Sequence, residues 1–313
     1  MSEFNAYNNI NIEDLKDFIT IVFVIIDDLY QIAVPKAISQ RLHAEKAILS
    51  DSEIITICIV GELLAIDSES AWLSYVGENL RDLFRRMCER SRFNRTRRNL
   101  VSAIDVIRFR LNMMMPEPEG EVRIADSFPL PVCAFGRARF CKTFSGYGAA
   151  YGYCPSKKQT YYGYKVHALC SLSGNTTDFI VTPASADDRE VVWELVEQYN
   201  RHLYLIGDKG YISRALTLDL NREKGIDLIY MKKRNDTEQY PKSFRRLIFK
   251  VRRRIETSFS QMVEQLNVEA VKAKSFWGLI TRLQTKFLAF NICFFINRLL
   301  GVDNVARIKN LVF

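Results

Sequence analysis

The chain has 313 residues, 48% of them hydrophobic. That is enough for one large or two medium cores and too apolar for a disordered protein. Its 44 Lys and Arg against 36 Asp and Glu give a net charge of +8, which points to partners rather than fold: nucleic acid is the commonest polyanion and an anionic membrane surface its rival. Seven scattered cysteines without a C-x-x-C pair, and only three histidines (His43, His167, His202), argue against a zinc site or disulfide framework and for reduced thiols in a cytosolic compartment.

In chain order, residues 1–115 read as an all-helical domain. The segment 12–33 opens with acids and is apolar on more than one face. Its run "FITIVFVII" (18–26) is flanked by acids and is far shorter than the ~20 residues of a membrane span, so it predicts a buried helix and neither a span nor a signal peptide. The segment 49–66 offers Ser50 or Ser52 as an N-cap. The helical region continues with 79–100, which carries eight arginines against Asp82 and Glu89. "MMMPEPEGEV" (113–122), with two prolines, a glycine and acids, is the linker that sets a boundary between 1–115 and 116–313.

Beyond it the pattern changes. Runs rich in Ile, Val, Tyr and Phe at 121–128, 161–172, 177–184, 202–210 and 226–233 read as five strands. Helices are predicted over 187–200, over 213–225 with Gly225 as the stop, and over 242–266. The expected fold is mixed α+β and α/β: a five-stranded mixed sheet flanked by helices, three strands as a meander and two joined by crossovers. A last apolar segment, 276–300, is expected to pack against this sheet or against another subunit.

Three acids stand out. Asp126 in "RIADSF" and Asp208 in "LIGDKG" are expected at strand ends, where a rigid sheet holds side chains and a following loop leaves room for ligand. On the 242–266 helix, Ile248, Val251, Ile255, Phe259, Met262 and Leu266 form one apolar stripe, and Glu256 lies at its edge. Singly, each acid has a plainer role: turn or cap for the aspartates, i,i+4 partner of Arg252 for Glu256. Together, three converging carboxylates repel one another and need cations. Oxygen-only ligands point to two Mg²⁺ or Mn²⁺ ions serving phosphoryl transfer. Asp187 and Asp188 read as the start of the 188–200 helix, with Asp187 and Glu190 as a capping box.

The stretches "ADSFPLPVC" (125–133), "YYGYKVHALCSLSGN" (161–175), "TPASADDRE" (182–190), "LIGDKGYIS" (205–213) and "RRRIETSFSQM" (252–262) together resemble the Asp-Asp-Glu transposases of bacterial insertion sequences. The likeness is to the insertion-sequence 982 family, near the insertion-sequence 4 and 5 group. "SRFNRTRRNL" (91–100) resembles that family's helical N-terminal region. The resemblance implies an RNase H-like catalytic domain behind an all-helical DNA-binding domain, two divalent metals, and Asp126, Asp208 and Glu256 as catalytic and metal-ligating residues. The insertion-sequence 4 pattern Y-x2-R-x3-E-x6-K is met by Arg252 and Glu256, while Phe249 replaces its Tyr and Val263 its Lys.

Without that lysine, other cations must handle DNA. Lys242, Arg246, Lys250, Arg252 and Arg253 lie in a run, 242–254, with seven basic residues and no acid. Arg92, Arg95, Arg97 and Arg98 are assigned to recognition of the element's ends. From Ser127 to Thr177 there is no Asp or Glu, and cations including Lys142 and Lys165 interleave with Phe and Tyr, which suits unpaired DNA ends; the plainer reading is a loop with a satellite core. Lys165 and His167, two apart on a strand, share one face, towards the active site or towards solvent. The leading function is a transposase that cuts at terminal inverted repeats and joins the 3′ ends to target DNA. It would act as a homodimer or larger assembly in a bacterial or archaeal cytosol, away from membranes. The alternatives are a catalytically silent DNA-binding protein and an RNase H-like nuclease without strand transfer. Metal-dependent cleavage separates the first from the leader, and joined products separate the second.

Overall fold

A computed structural model of the chain describes residues 12–42, 44–115, 120–232 and 235–311. His43 and the middle of the expected linker lie outside them. The chain forms two compact units, Met1–Pro116 with Met262–Phe313, and Glu117–Gln261.

The first unit is helical: α1 (Leu15–Ala33), a single turn α2 (Lys36–Ser39), α3 (Asp51–Leu63), α4 (Glu69–Asn79), α5 (Arg90–Asn99), α6 (Val101–Met114) and, from the far end of the chain, the helix Phe276–Leu299. Of the two candidate caps, Ser50 is the one used. Its hydroxyl accepts the Glu53 N–H, and the Glu53 carboxylate accepts the Ser50 N–H at 2.6 Å, a closed capping box. The arginine-rich stretch is not helical throughout: α4 ends at Asn79 and only Arg90–Asn99 is helix.

The helix Phe276–Leu299 corrects the sequence reading, for it belongs to the helical unit and packs there on α3, α5 and α6. The physical reason is that α3 is buried on nearly every face, eleven of its thirteen residues. Such a helix must be covered from more than one side. The last helix, with Phe287, Phe290 and Phe294 inside, supplies the cover. It is long and apolar enough to cross a membrane by length and composition alone, and 83% of its apolar window is buried inside the protein.

The second unit is built on β1 (Val122–Pro131), β2 (Ala150–Cys154), β3 (Gln159–Cys170), β4 (Thr176–Pro183), β5 (Leu203–Gly207) and β6 (Ile226–Tyr230), with a one-turn helix α7 (Lys142–Ser145), then α8 (Asp188–Leu195), α9 (Arg214–Lys224) and α10 (Lys242–Leu266). The helix Phe276–Leu299 is thus α11. The strand order is β2-β3-β1-β5-β6, and β4 also pairs with β3. The β1-β3-β4 meander is antiparallel; β5 and β6 run parallel to β1. One strand more is present than the five expected. It is β2, whose Ala-Tyr-Gly-Tyr-Cys alternates small with aromatic residues instead of apolar with polar, and which pairs with the outer end of β3.

Period-two alternation divides the faces. Ala125, Leu169, Leu203, Leu205 and Leu228 meet α8 and α9. On the other face Ile206 packs with Ile248 of α10, and the Phe128 and Phe259 rings meet edge-on at 4.9 Å. Ser258 fixes α10 further by donating to the Gly174 carbonyl at 2.6 Å. α8 is shorter than expected, ending at Leu195. α9 stops at Gly225, whose φ of 66° is the left-handed cap that glycine accepts without strain.

Candidate active site

Ile124 of β1 pairs with Ile206 of β5. Asp126 and Asp208, each two residues further on, therefore leave this parallel pair side by side. Asp126 is not at a strand end, as the sequence reading had it: β1 runs on to Pro131, paired there only with β3. The sheet opens on the β5 side, and that opening is where the two carboxylates meet.

The Asp126 carboxylate accepts the Ser127 N–H at 2.8 Å, and its other oxygen lies 3.6 Å from Arg252 Nη2. Burial pushes this carboxyl up to about 7, with the charges of Asp208 and Glu256 adding to the effect and the Ser127 N–H and Arg252 opposing it. Asp208 caps the turn Lys209–Tyr211 by accepting the Gly210 N–H at 2.6 Å. The flanking glycines are required by close approach. A Cβ on Gly207 would stand 2.7 Å from the Tyr211 ring, and one on Gly210 would stand 2.9 Å from an oxygen of both Asp188 and Asp208.

Glu256, one turn beyond Arg252 on α10, has a side chain 56% exposed, and its carboxylate lies 3.9 Å from Arg252 Nη2. Arg252 thus stands between Asp126 and Glu256. The three acids act on one another electrostatically, but among the described residues no three His, Cys, Asp or Glu side chains are close enough to hold one metal ion. A guanidinium, that of Arg252, and not a direct carboxylate contact links Asp126 and Glu256. The donor set itself, all carboxylate oxygen with Asp126 buried among like charges, fits a hard divalent cation.

Two side chains, Asp188 and Tyr211, reach this region that the sequence reading did not place there. Asp187 is the cap of α8, as expected, accepting the Arg189 N–H at 2.9 Å. Asp188 turns instead to the sheet: its Oδ1 accepts from Lys165 at 3.2 Å and Ser127 at 3.4 Å and lies 3.2 Å from His167 Nδ1. Tyr211 is 1% exposed, and its hydroxyl has no hydrogen-bond partner among the described residues. Burial, with Asp188, Asp126 and Asp208 nearby, holds it protonated. The available signal was the doublet itself, since a helix start needs one capping acid and this one has two. Of Lys165 and His167, the first is partly exposed and the second fully buried. Lys165 donates to Asp188 and to the Ala186 carbonyl, the latter at 2.8 Å, and His167, bonded to Thr182 at 3.0 Å, is pushed down to about 3 by burial and Lys165.

The remaining cations sort by helix face. On α10, Lys242, Arg246, Lys250, Arg253 and Arg254 are exposed, whereas Arg252 is turned inward. Lys142 is exposed. On α5, Arg92, Arg95 and Arg98 are exposed, but Arg97 is 7% exposed and bound to Glu62 at 3.1 Å and Glu69 at 3.7 Å. It shares the inner face with Phe93, four residues earlier, so the sequence assignment of Arg97 to DNA is corrected to a structural one. An open groove of about 850 Å³ in the helical unit is lined by Arg90, Arg95, Arg98, Lys272, Lys274 and Arg282 among others.

No curated protein matches the chain. A family model described as transposase DDE domain matches residues 117–292, more than half of the sequence, and the matched region contains β1, β5 and α10 with their three acids. The chain belongs to the transposase DDE-domain family.

Proposed function

We propose that the protein is an insertion-sequence transposase, of the insertion-sequence 982 type, whose sheet unit is an RNase H-like endonuclease and strand-transfer domain. The observation that carries this reading is the register: adjacent parallel strands deliver Asp126 and Asp208 together, and Arg252 ties Asp126 to Glu256. Asp126, Asp208 and Glu256 would hold two Mg²⁺ or Mn²⁺ ions. Bound there, such ions acidify a water or 3′-hydroxyl and stabilise the leaving oxygen of an in-line phosphoryl transfer. The chain's own residues fix the donors: the Ser127 and Gly210 N–H groups orient one oxygen each of Asp126 and Asp208, and Arg252 neutralises the acids while no DNA is bound.

The exposed ladder Lys242, Arg246, Lys250 and Arg254 tracks phosphates beside the carboxylates. The arginines Arg92, Arg95 and Arg98 and the groove next to them take the terminal inverted repeats. The work is done in a bacterial or archaeal cytosol by a dimer or larger assembly. The direct test is an assay with DNA bearing the element's ends and Mg²⁺, scoring cut and joined products. One observation favours a second reading, a catalytically silent DNA-binding protein: Arg252, and not a direct carboxylate contact, links two of the acids. Binding to the ends with no cleavage under any divalent ion would select it.

The two classes of α5 arginine give separate expectations. Arg95→Ala weakens DNA binding and lowers the slope of log affinity against log salt by about 0.9, the share of a single neutralised phosphate, with unchanged melting. Arg97→Ala lowers the melting temperature instead, because Glu62 and Glu69 lose a buried partner. Salt titrations and thermal melts of both variants decide; a salt slope that falls equally in the two would refute the sorting.

A further inference from the structure

Five exposed rings fall within residues 135–153 of the sheet unit. Phe135, Phe140, Tyr147, Tyr151 and Tyr153 are each between 52% and 68% exposed. They are held, not loose. Phe144 beneath them is buried, and the buried Tyr164 hydroxyl donates to the Phe144 and Tyr147 carbonyls at 3.4 and 3.1 Å. Tyr151 and Tyr153 share one face of β2. The Tyr151 ring leans on the buried Tyr162 at 5.0 Å, and Phe135 meets Tyr151 edge-on at 6.0 Å. The Arg139 guanidinium lies 4.7 Å from the Phe140 ring.

Large exposed rings normally call for a cover. The charge says which. Arg137, Arg139, Lys142 and Lys158 are exposed among them, and no acid occurs from Ser127 to Thr177. Such a surface repels a second copy of itself and attracts a polyanion. Within a polyanionic nucleic acid, base faces are available to rings only where the strand is unpaired, since a duplex hides them in its stack. β1 runs directly from Asp126 to this surface, reaching Pro131 in five residues, about 17 Å.

We propose that this surface is a stacking platform for single-stranded DNA, the unpaired bases flanking the strand held at the carboxylates. The source of that strand rests on the transposase reading; the binding itself does not.

The test is equilibrium binding of full-length protein to labelled oligothymidylate and to a duplex of equal length, by fluorescence anisotropy. Phe140→Ala and Tyr153→Ala should each weaken oligothymidylate binding roughly tenfold and duplex binding less than about twofold. Tyr153→Phe should keep wild-type affinity, because the ring and not the hydroxyl is needed. Equal losses on both DNAs, or no loss on oligothymidylate, overturn the proposal. So does a dimer that becomes monomeric in the alanine variants with oligothymidylate affinity intact, which would assign the rings to a second copy. Stacking in a protein that cuts no end-bearing DNA would leave the platform standing and remove the catalytic reading; cleavage with unaltered oligothymidylate affinity in the variants would do the reverse.

Discussion

Asp208→Ala is expected to lower metal-dependent cleavage of end-bearing DNA by about a thousandfold or more, the equivalent of several kcal/mol of lost transition-state stabilisation. The side chain leaves β5 beside Asp126 and has one oxygen committed to the Gly210 N–H, so its loss removes a donor and a turn cap together. The cap is worth about 1 kcal/mol, too little to unfold a protein of ordinary stability. DNA affinity without divalent ions should not fall, since a carboxylate repels phosphate. Asp126→Asn should be equally inactive yet no less stable towards urea, because the burial cost of a charge crowded by Asp208 and Glu256 is gone. Cleavage that survives in either variant would remove these acids from the chemistry.

The second large effect is structural. Glu62 of α3 is 4% exposed and meets three cations: Arg97 of α5 at 3.1 Å, Arg282 of α11 at 3.0 Å, and Lys286 of α11, which also donates to the Leu266 carbonyl. Glu62→Ala leaves Arg282 and Lys286 without their carboxylate and Arg97 with Glu69 alone, a loss of about 3–5 kcal/mol, and a correspondingly lower urea midpoint. Burial alone would raise the Glu62 carboxyl, but Lys286, Arg282 and Arg97 outweigh it and hold it down at about 2 against an ordinary 4.5. The sign follows. A folded value below the unfolded one gives stability that is complete above about 4.5 and lost as pH falls towards 2. Glu62→Gln should lack that part of the acid sensitivity. Parallel pH profiles of the urea midpoint for wild type and Glu62→Gln would show that the network does not set it.

Much of this protein is written in local pattern. The Ile, Val and Tyr runs became β1 and β3 to β6 where expected, because a strand buried on its faces needs such residues in sequence. The stripe Ile248, Ile255 and Phe259 fixed the inner face of α10, and Ser50 and Gly225 marked helix ends through backbone chemistry that depends on neighbours alone. Asp126, Asp208 and Glu256 stood out because glycines, a strand and an apolar stripe framed them.

What pattern cannot supply is which face meets which. Periodicity puts Phe93 and Arg97 on one side of α5, but only packing against Glu62 makes that side the inside. It puts Arg252 one turn before Glu256, but only the sheet brings Asp126 to the same guanidinium. Asp188 looked like half of a helix cap until Lys165, His167 and Ser127 gathered on it from strands far away in sequence. The apolar run of α11 does not say what it packs on, and Arg282 and Lys286, one turn apart on it, find their partner only when α3 brings Glu62 to them. Sequence alone determined the elements and the acids, since these rest on short-range backbone and burial preferences; tertiary structure alone decided their partners, since charge pairing and cover are properties of surfaces that meet only after folding.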